Sequence, residues 1–135
     1  MTRLRAVAWA VVLSAWTAFV WITRLQNAAA DSGLVGVTRT GTFVLAGTML
    51  ALAGVSLVDA LVRRSTRLVQ VLAVVTIGVW AIRVPQILAA AHELGFKVVH
   101  TVLGMISIGL ALAALRWAAR QGGRNRPTAV LEGSC

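Results

Sequence analysis

The chain has few of the residues from which catalytic and metal sites are usually built. Its 135 residues include one cysteine, two histidines, four acidic residues and no tyrosine. The lone cysteine, Cys135, allows neither an internal disulfide nor a Cys-x-x-Cys metal motif. There is no Ser-His-Asp order, no paired-carboxylate signature and no phosphate-binding glycine loop. We therefore expect no enzymatic activity and no cofactor.

Charged residues are also scarce. Only 13% of the residues are charged and 59% are hydrophobic, whereas an ordinary soluble domain has roughly 25% charged residues. A chain of this length cannot bury so much apolar surface away from water, so the composition predicts a protein that lies in a lipid bilayer. The cations that give the net charge of +9 lie between the apolar runs. They favour contact with anionic lipid headgroups and not with nucleic acid.

Four apolar runs predict an all-α, four-helix transmembrane bundle. We place one domain at 1–119 and expect the basic, glycine-rich tail at 120–135 to be disordered and cytoplasmic. The predicted helices lie at about 6–22, 42–62, 68–91 and 98–117. A cleaved signal peptide is the alternative for the first run, but its length and its tryptophans argue against cleavage.

The predicted helix ends depend on glycines, polar residues and one proline. Several such residues predict a long first connection, from Thr23 to Gly41. Pro85 lies inside the third predicted helix. We expect that helix to continue through Pro85 with a kink, because 68–82 alone spans only about 22 Å of a hydrocarbon core of ~30 Å.

The distribution of cations predicts the orientation. If both termini share one side, four cations lie on the other side: Arg24, Arg39, Arg83 and Lys97. Nine lie on the side of the termini: Arg3, Arg5, Arg63, Arg64, Arg67, Arg116, Arg120, Arg124 and Arg126. Because cytoplasmic loops carry the excess of Lys and Arg, we predict a bacterial inner (plasma) membrane protein with both termini cytoplasmic. Trp21 and Trp80 then fall at the outer interface and Trp117 at the inner one, where indole rings prefer to lie.

One short phrase occurs twice. Residues 20–37 read VWITRLQNAAADSGLVGV, and residues 79–100 read VWAIRVPQILAAAHELGFKVVH. Both give Val-Trp-x-x-Arg, then a Gln, three alanines, a polar pair and a glycine. The echo predicts two tandem helical hairpins, a 2+2 parallel repeat about an axis along the membrane normal. The alternative is a chance match, since any outer interface attracts Trp and Arg.

Small residues recur at helical spacing and predict where the helices pack, because association in lipid needs close backbone approach. The first predicted helix has Ala6, Ala10, Ser14 and Ala18. The second has Gly47, Ala51 and Gly54. The fourth has Gly104, Ser107, Ala111 and Ala114, with His100 one turn outward on the same face.

Arg83 is the most unusual polar residue, because an arginine in an apolar segment is costly and suggests function. It is a candidate for binding a lipid phosphate or a substrate carboxylate. Thr76 and Trp80 share its helical face. The alternative is that Arg83 extends to the headgroups, and Arg24 at the matching point of the other unit favours that alternative.

His100 and Asp59 are the other candidates. His100 is a possible haem ligand or proton relay, but the only other histidine, His92, flanks the same connection and gives no second axial ligand on another helix. A structural or interfacial histidine is the competing interpretation. Asp59 precedes Arg63 by one turn, which favours a local ion pair over a proton or cation site.

The wording GFKVVHTVLGMISIGLALA in the last unit, together with the four-helix layout, resembles small integral membrane proteins of high-GC, actinobacterial-type bacteria; this likeness implies the fold and no function. We predict a non-enzymatic accessory or interaction subunit that forms a homo-oligomer or joins a larger membrane complex. One alternative is a small transporter or lipid-handling protein that uses Arg83 and His100 in an outward-facing cavity. A second is a haem-binding electron carrier. The first two differ in whether Arg83, Thr76 and His100 point into the bundle or at lipid.

Overall fold

The computed structural model describes residues 2–33, 35–63 and 65–124. These residues form four α-helices and, within the described ranges, no strand: α1 (Thr2–Ala30), α2 (Gly36–Val62), α3 (Arg67–Ala89) and α4 (Leu94–Arg124). All four are long and apolar enough to cross a membrane. The predicted four-helix, all-α membrane bundle is confirmed. Residues 120–124 of the predicted disordered tail are helical and belong to α4, so the disorder predicted for them is wrong. The rest of that tail, residues 125–135, lies outside the described residues.

The helices extend beyond the apolar runs that predicted them. The long first connection is wrong, because only residues 31–35 separate α1 from α2. In α1, Ala28 to Ala30 are strong helix formers, and a helix satisfies backbone polar groups that lipid leaves without partners. The turn is made by Asp31, whose carboxylate accepts the Gly33 N–H at 2.9 Å, and by Gly36, whose φ of 58° suits glycine.

The third helix runs through Pro85, so its predicted continuation past the proline is confirmed. It ends at Ala89, after which Ala90 is extended. Lys97, in the first turn of α4, donates its Nζ–H to the carbonyl of Leu88 at 2.9 Å. This bond satisfies a carbonyl at the end of α3 and fixes the corner between α3 and α4.

The helices alternate in direction and form a ring in chain order. The largest contacts are those of α1 with α2 and of α3 with α4, and smaller contacts join α2 to α3 and α4 to α1. The chain therefore forms two helical hairpins side by side. The connections at 31–35 and 90–93 lie at one end of the bundle, and the α2–α3 connection lies at the other.

Small and polar residues make up most of the interior, and many large apolar side chains lie on the outside. Phe19, Ile82 and Met105 are 60%, 62% and 68% exposed. So much exposed apolar surface is rare on a soluble monomer, but it suits helices in lipid, which associate through small residues.

The predicted seam of α4 is confirmed, since Gly104, Ser107, Ala111 and Ala114 are all buried. In α1, Ala10 and Ser14 are buried and Ala18 is half-buried, while the side chain of Ala6 lies outside the described part.

The predicted seam of α2 is wrong: Gly47, Ala51 and Gly54 face outward. The buried stripe is instead Thr42, Ala46, Met49, Ala53, Ser56, Asp59 and Ala60. Its polar members explain the choice of face, because a carboxylate or a hydroxyl is costly in contact with lipid.

Candidate functional site

A cavity of about 220 Å³ lies between α1, α3 and α4, at the end that carries the 31–35 and 90–93 connections. Its walls combine cationic, polar, aromatic and aliphatic side chains: Phe19, Val20, Trp21, Thr23, Arg24, Asn27, Val79, Trp80, Arg83, Ile87, Val99, His100 and Leu103. The structure thus brings three of the predicted candidates, Arg24, Arg83 and His100, into one place. The two Val-Trp-x-x-Arg units face each other across it.

The charge in this cavity is of one sign. Arg24 and Arg83 are half-buried and line the same cavity, so two like charges share one partly desolvated site. Among the described residues that line the cavity, none is acidic. A pair of guanidinium groups with no carboxylate beside them has donors free for an anion.

His100 completes the polar wall. Its Nδ1 lies 2.9 Å from the carbonyl oxygen of Phe96, and a carbonyl only accepts, so Nδ1 carries a proton. Nε2 remains available for a second partner. The Phe96 ring lies between the rings of His92 and His100, with centroid distances of 4.7 and 3.9 Å. Both histidines therefore belong to the same corner of the bundle, as the sequence predicted.

The two tryptophans point inward. Trp21 and Trp80 are 5% and 7% exposed, so their rings pack inside the bundle at the cavity end and do not lie on its outside. Gly104 explains how Trp80 is accommodated: a Cβ there would lie 2.7 Å from Val84 Cγ2 and 2.9 Å from a Trp80 ring carbon. The glycine lets α4 approach α3 closely, one turn below His100.

The repeated motif extends further into the bundle than the sequence interpretation recognised. Thr17 stands one turn before Trp21, just as Thr76 stands one turn before Trp80, so both units read Thr-x-x-Val-Trp-x-x-Arg. Thr17 was missed, although this longer phrase was the signal that could have found it.

Burial follows the same repeat. The five buried residues of α3 each match a buried residue of α1 at one constant separation along the chain: Val69 with Ala10, Leu72 with Leu13, Ala73 with Ser14, Thr76 with Thr17 and Trp80 with Trp21. The spacing supports the 2+2 repeat, which stays a prediction.

Three hydroxyl groups beneath the tryptophans lack a hydrogen-bond partner within the described part of the chain: those of Ser14, Thr17 and Thr76, each at most 3% exposed. Other threonines donate to the carbonyl four residues earlier, among them Thr23, Thr40, Thr42, Thr48 and Thr101. The three interior hydroxyls do not use this local acceptor. Thr76 is thus inside the bundle on the face of Arg83, as predicted, but it does not line the cavity.

Below the hydroxyls the bundle is closed by apolar packing. Leu13, Met49, Leu72 and Val69 are among its largest fully buried side chains. Asp59 lies beyond them, near the opposite end. Its carboxylate is 3.9 Å from Arg63 Nε, so the predicted local ion pair is confirmed. Asp59 therefore takes no part in the cavity.

Comparisons with protein-family models, with curated proteins and with solved structures found no match to this chain.

Proposed function

We propose that this multi-pass membrane protein binds an anionic amphiphile, without catalysis, in the cavity between α1, α3 and α4. The observation that carries the proposal is that Arg24 and Arg83, one from each hairpin, line a single cavity whose described wall has no acidic residue. Guanidinium groups bind carboxylates and phosphates through charge-assisted hydrogen bonds. The apolar walls, including Val79, Ile87 and Leu103, suit an acyl chain.

The cavity faces the outside of the plasma membrane in this proposal. The support is the distribution of cations: both termini and the α2–α3 connection lie on the arginine-rich side, which is cytoplasmic under the positive-inside rule. The cavity is at the other end. The ligand therefore enters from the outer leaflet or from the space beyond it.

The closed inner half favours binding over passage. Leu13, Leu72 and Met49 are completely buried beneath the hydroxyl groups, and tightly packed apolar side chains leave no path for a polar solute. The cavity is thus a one-sided pocket in this conformation. A lipid-handling or lipid-sensing protein fits it better than a pore.

The alternative, that both arginines simply extend to headgroups, is less well supported by their surroundings. Arg24 and Arg83 are half-buried and line a shared cavity with Trp21, Trp80 and His100. An arginine that only extends to the lipid surface has no need of a partner with the same charge beside it. The placement of Arg83 and His100 supports the lipid-handling interpretation over the accessory subunit.

Lipid titration of the purified protein tests the proposal. In a nonionic detergent we expect anionic phospholipid, and not phosphatidylcholine, to raise Tm by roughly 5–10 °C at about 100 times Kd. Replacing both arginines, Arg24→Gln with Arg83→Gln, should remove this shift because it removes both cations. Arg39→Gln is the matched control: Arg39 lies at the same end of the bundle but over the Phe43 ring, outside the cavity.

Two outcomes would reject the proposal. One is an unchanged lipid-induced shift in the double variant. The other is an equal loss of the shift in the Arg39→Gln control. The Tm of each variant without lipid shows whether it is folded, so a loss of binding can be distinguished from a loss of structure.

A second candidate function is the interaction subunit predicted from the sequence, with a second copy of this chain as the partner. The observation that favours it is the outward stripe Gly47, Ala51 and Gly54, where an added Cβ at either glycine meets nothing within 4 Å. Such a stripe permits close approach of another helix in lipid. In a Cys135→Ser background, Gly47→Cys should cross-link in native membranes, whereas Val74→Cys on α3 should not. Equal cross-linking at both positions would exclude this dimer.

A further inference from the structure

We infer that the anionic group held in the cavity is a phosphomonoester. This inference rests on the proposed function and names its ligand more narrowly. The shared chemistry is a terminal phosphate, carried either by a lipid or by a small water-soluble molecule.

The charge of the cavity gives the first reason. Arg24 and Arg83 contribute two positive charges that repel each other, and no acidic residue is among the described residues of the wall. In a poorly solvated site such a pair is stabilised most by a ligand that neutralises both charges. A phosphomonoester carries about −1.5 to −2 charges at neutral pH. A carboxylate or a phosphodiester carries only one.

The donor arrangement gives the second reason. A guanidinium group presents a planar fork of N–H donors that matches two oxygens of a phosphate. Arg24 reaches the cavity from α1 and Arg83 from α3, while His100 lines it from α4 with its Nδ1–H donated to the Phe96 carbonyl. Two guanidinium forks from two helices present donors for all three terminal oxygens of a phosphomonoester, whereas a carboxylate offers only two oxygens.

A single ligand bound by both arginines would connect the two hairpins. The helices that supply them belong to different hairpins, and the α1–α4 contact is smaller than the contact within each hairpin. A dianion bound by both arginines therefore connects the two hairpins, whose mutual contacts are smaller than the contacts within each hairpin. Binding should raise the free energy of unfolding by RT ln(1 + L/Kd), where L is the free ligand concentration, so the gain grows with the logarithm of that concentration above Kd.

Titrations with lipids that share the same acyl chains test the inference. We expect phosphatidic acid, a phosphomonoester, to bind about tenfold more tightly than phosphatidylglycerol, a phosphodiester, because charge-assisted bonds to a second cation are added. Palmitic acid should bind no better than phosphatidylglycerol. Glycerol 3-phosphate and inorganic phosphate are the water-soluble arms. If either displaces phosphatidic acid, the phosphate alone is recognised; if neither does, the lipid is the source.

Single variants distinguish charge matching from general attraction. Arg24→Gln or Arg83→Gln leaves one cation, so the preference for phosphatidic acid over phosphatidylglycerol should fall from about tenfold to about onefold. Arg83→Lys keeps the charge but not the fork and should retain an intermediate preference. Arg39→Gln should keep the full preference. Circular dichroism and Tm without lipid establish that each variant is folded.

Failure of the inference can be separated from failure of the proposed function. Arginine-dependent binding of palmitic acid or phosphatidylglycerol as tight as that of phosphatidic acid would overturn the phosphomonoester and leave the anionic amphiphile standing. If anionic lipids bind the Arg24→Gln, Arg83→Gln double variant as tightly as the wild-type protein, the inference and the proposed function are both overturned. A preference that survives in Arg24→Gln and Arg83→Gln would also overturn the inference.

Discussion

The two hairpins share one helix face and differ in the other. Thr17, Trp21 and Arg24 on α1 are repeated by Thr76, Trp80 and Arg83 on α3. The partner helices α2 and α4 also bury residues at one constant separation along the chain. Their side chains nevertheless differ: Ala46 corresponds to Gly104, Met49 to Ser107, and the buried Thr42 to the half-buried His100.

This difference explains why the cavity is not symmetric. The wall includes Val99, His100 and Leu103 from α4 but no described residue of α2. Gly104 allows Trp80 to lie against α4, whereas its counterpart Ala46 already carries a Cβ. The helices α1 and α3 supply the arginines and the tryptophans, and the difference between α2 and α4 decides on which side of them the cavity lies.

The largest effect is expected when Gly104 of α4 is replaced by alanine, the residue that stands at the corresponding position, Ala46, of α2. Gly104→Ala places a Cβ against Val84 and Trp80, so one of them must move. We expect a loss of about 1–3 kcal/mol in the free energy of unfolding and weaker binding of anionic lipid. Thermal unfolding in detergent and lipid titration measure the two effects.

Gly54→Ala is the matched control for that change. A Cβ at Gly54 meets nothing within 4 Å, so the variant should be neutral or slightly stabilising, because alanine is the better helix former. Equal destabilisation by both variants would show that the effect belongs to glycine in a helix and not to the contact with Trp80.

A smaller effect is expected from the matched threonines. Thr17→Val and Thr76→Val remove hydroxyl groups that have no described partner, so each should leave stability unchanged or raise it by up to about 1 kcal/mol. Thr42→Val is the control, because its buried hydroxyl donates to the Thr38 carbonyl at 3.0 Å. Thr42→Val should lower the free energy of unfolding by about 0.5–1.5 kcal/mol. A loss of stability at Thr17 or Thr76 equal to the loss at Thr42 would contradict the distinction.

The smallest effect is expected at Asp59, near the end of α2 that lies opposite the cavity. Asp59 pairs with Arg63 at 3.9 Å, but the Arg63 side chain is 81% exposed. Asp59→Asn should therefore change the free energy of unfolding by less than about 0.5 kcal/mol. Binding of anionic lipid at the far end should be unaffected. Measurement at low and high salt checks the assignment, since any loss should shrink as salt screens the pair.

The sequence was sufficient to predict the number of helices, the continuation through Pro85 and the buried seam of α4. These features depend on hydrophobicity and on local spacing, which a single chain displays directly. It also identified Arg24, Arg83 and His100 one by one. That they meet in one cavity depends on how α1, α3 and α4 are arranged, and contacts between distant segments leave no periodic trace in the sequence.

The errors have physical causes as well. Gly47, Ala51 and Gly54 form as good a small-residue pattern as the buried one on α2, and only the polar residues Ser56 and Asp59 favour the other face. The sequence predicts too long a first connection, 23–41 instead of 31–35, because glycine and threonine favour the ends of helices in water. In lipid they are tolerated, since the backbone has no competing solvent.

Within the described chain, two side-chain hydrogen bonds connect one hairpin to the other. Trp16 Nε1 donates to Ser107 Oγ at 2.9 Å, and Ser56 Oγ donates to the Leu68 carbonyl at 3.1 Å. Both lie below the cavity. These bonds hold the hairpins together in the middle of the bundle and toward the end opposite the cavity, and neither holds them together at the cavity end. A ligand larger than the cavity of about 220 Å³ would have to separate the ends of α1 and α3 that carry Arg24 and Arg83, while the part held by the two hydrogen bonds keeps its packing.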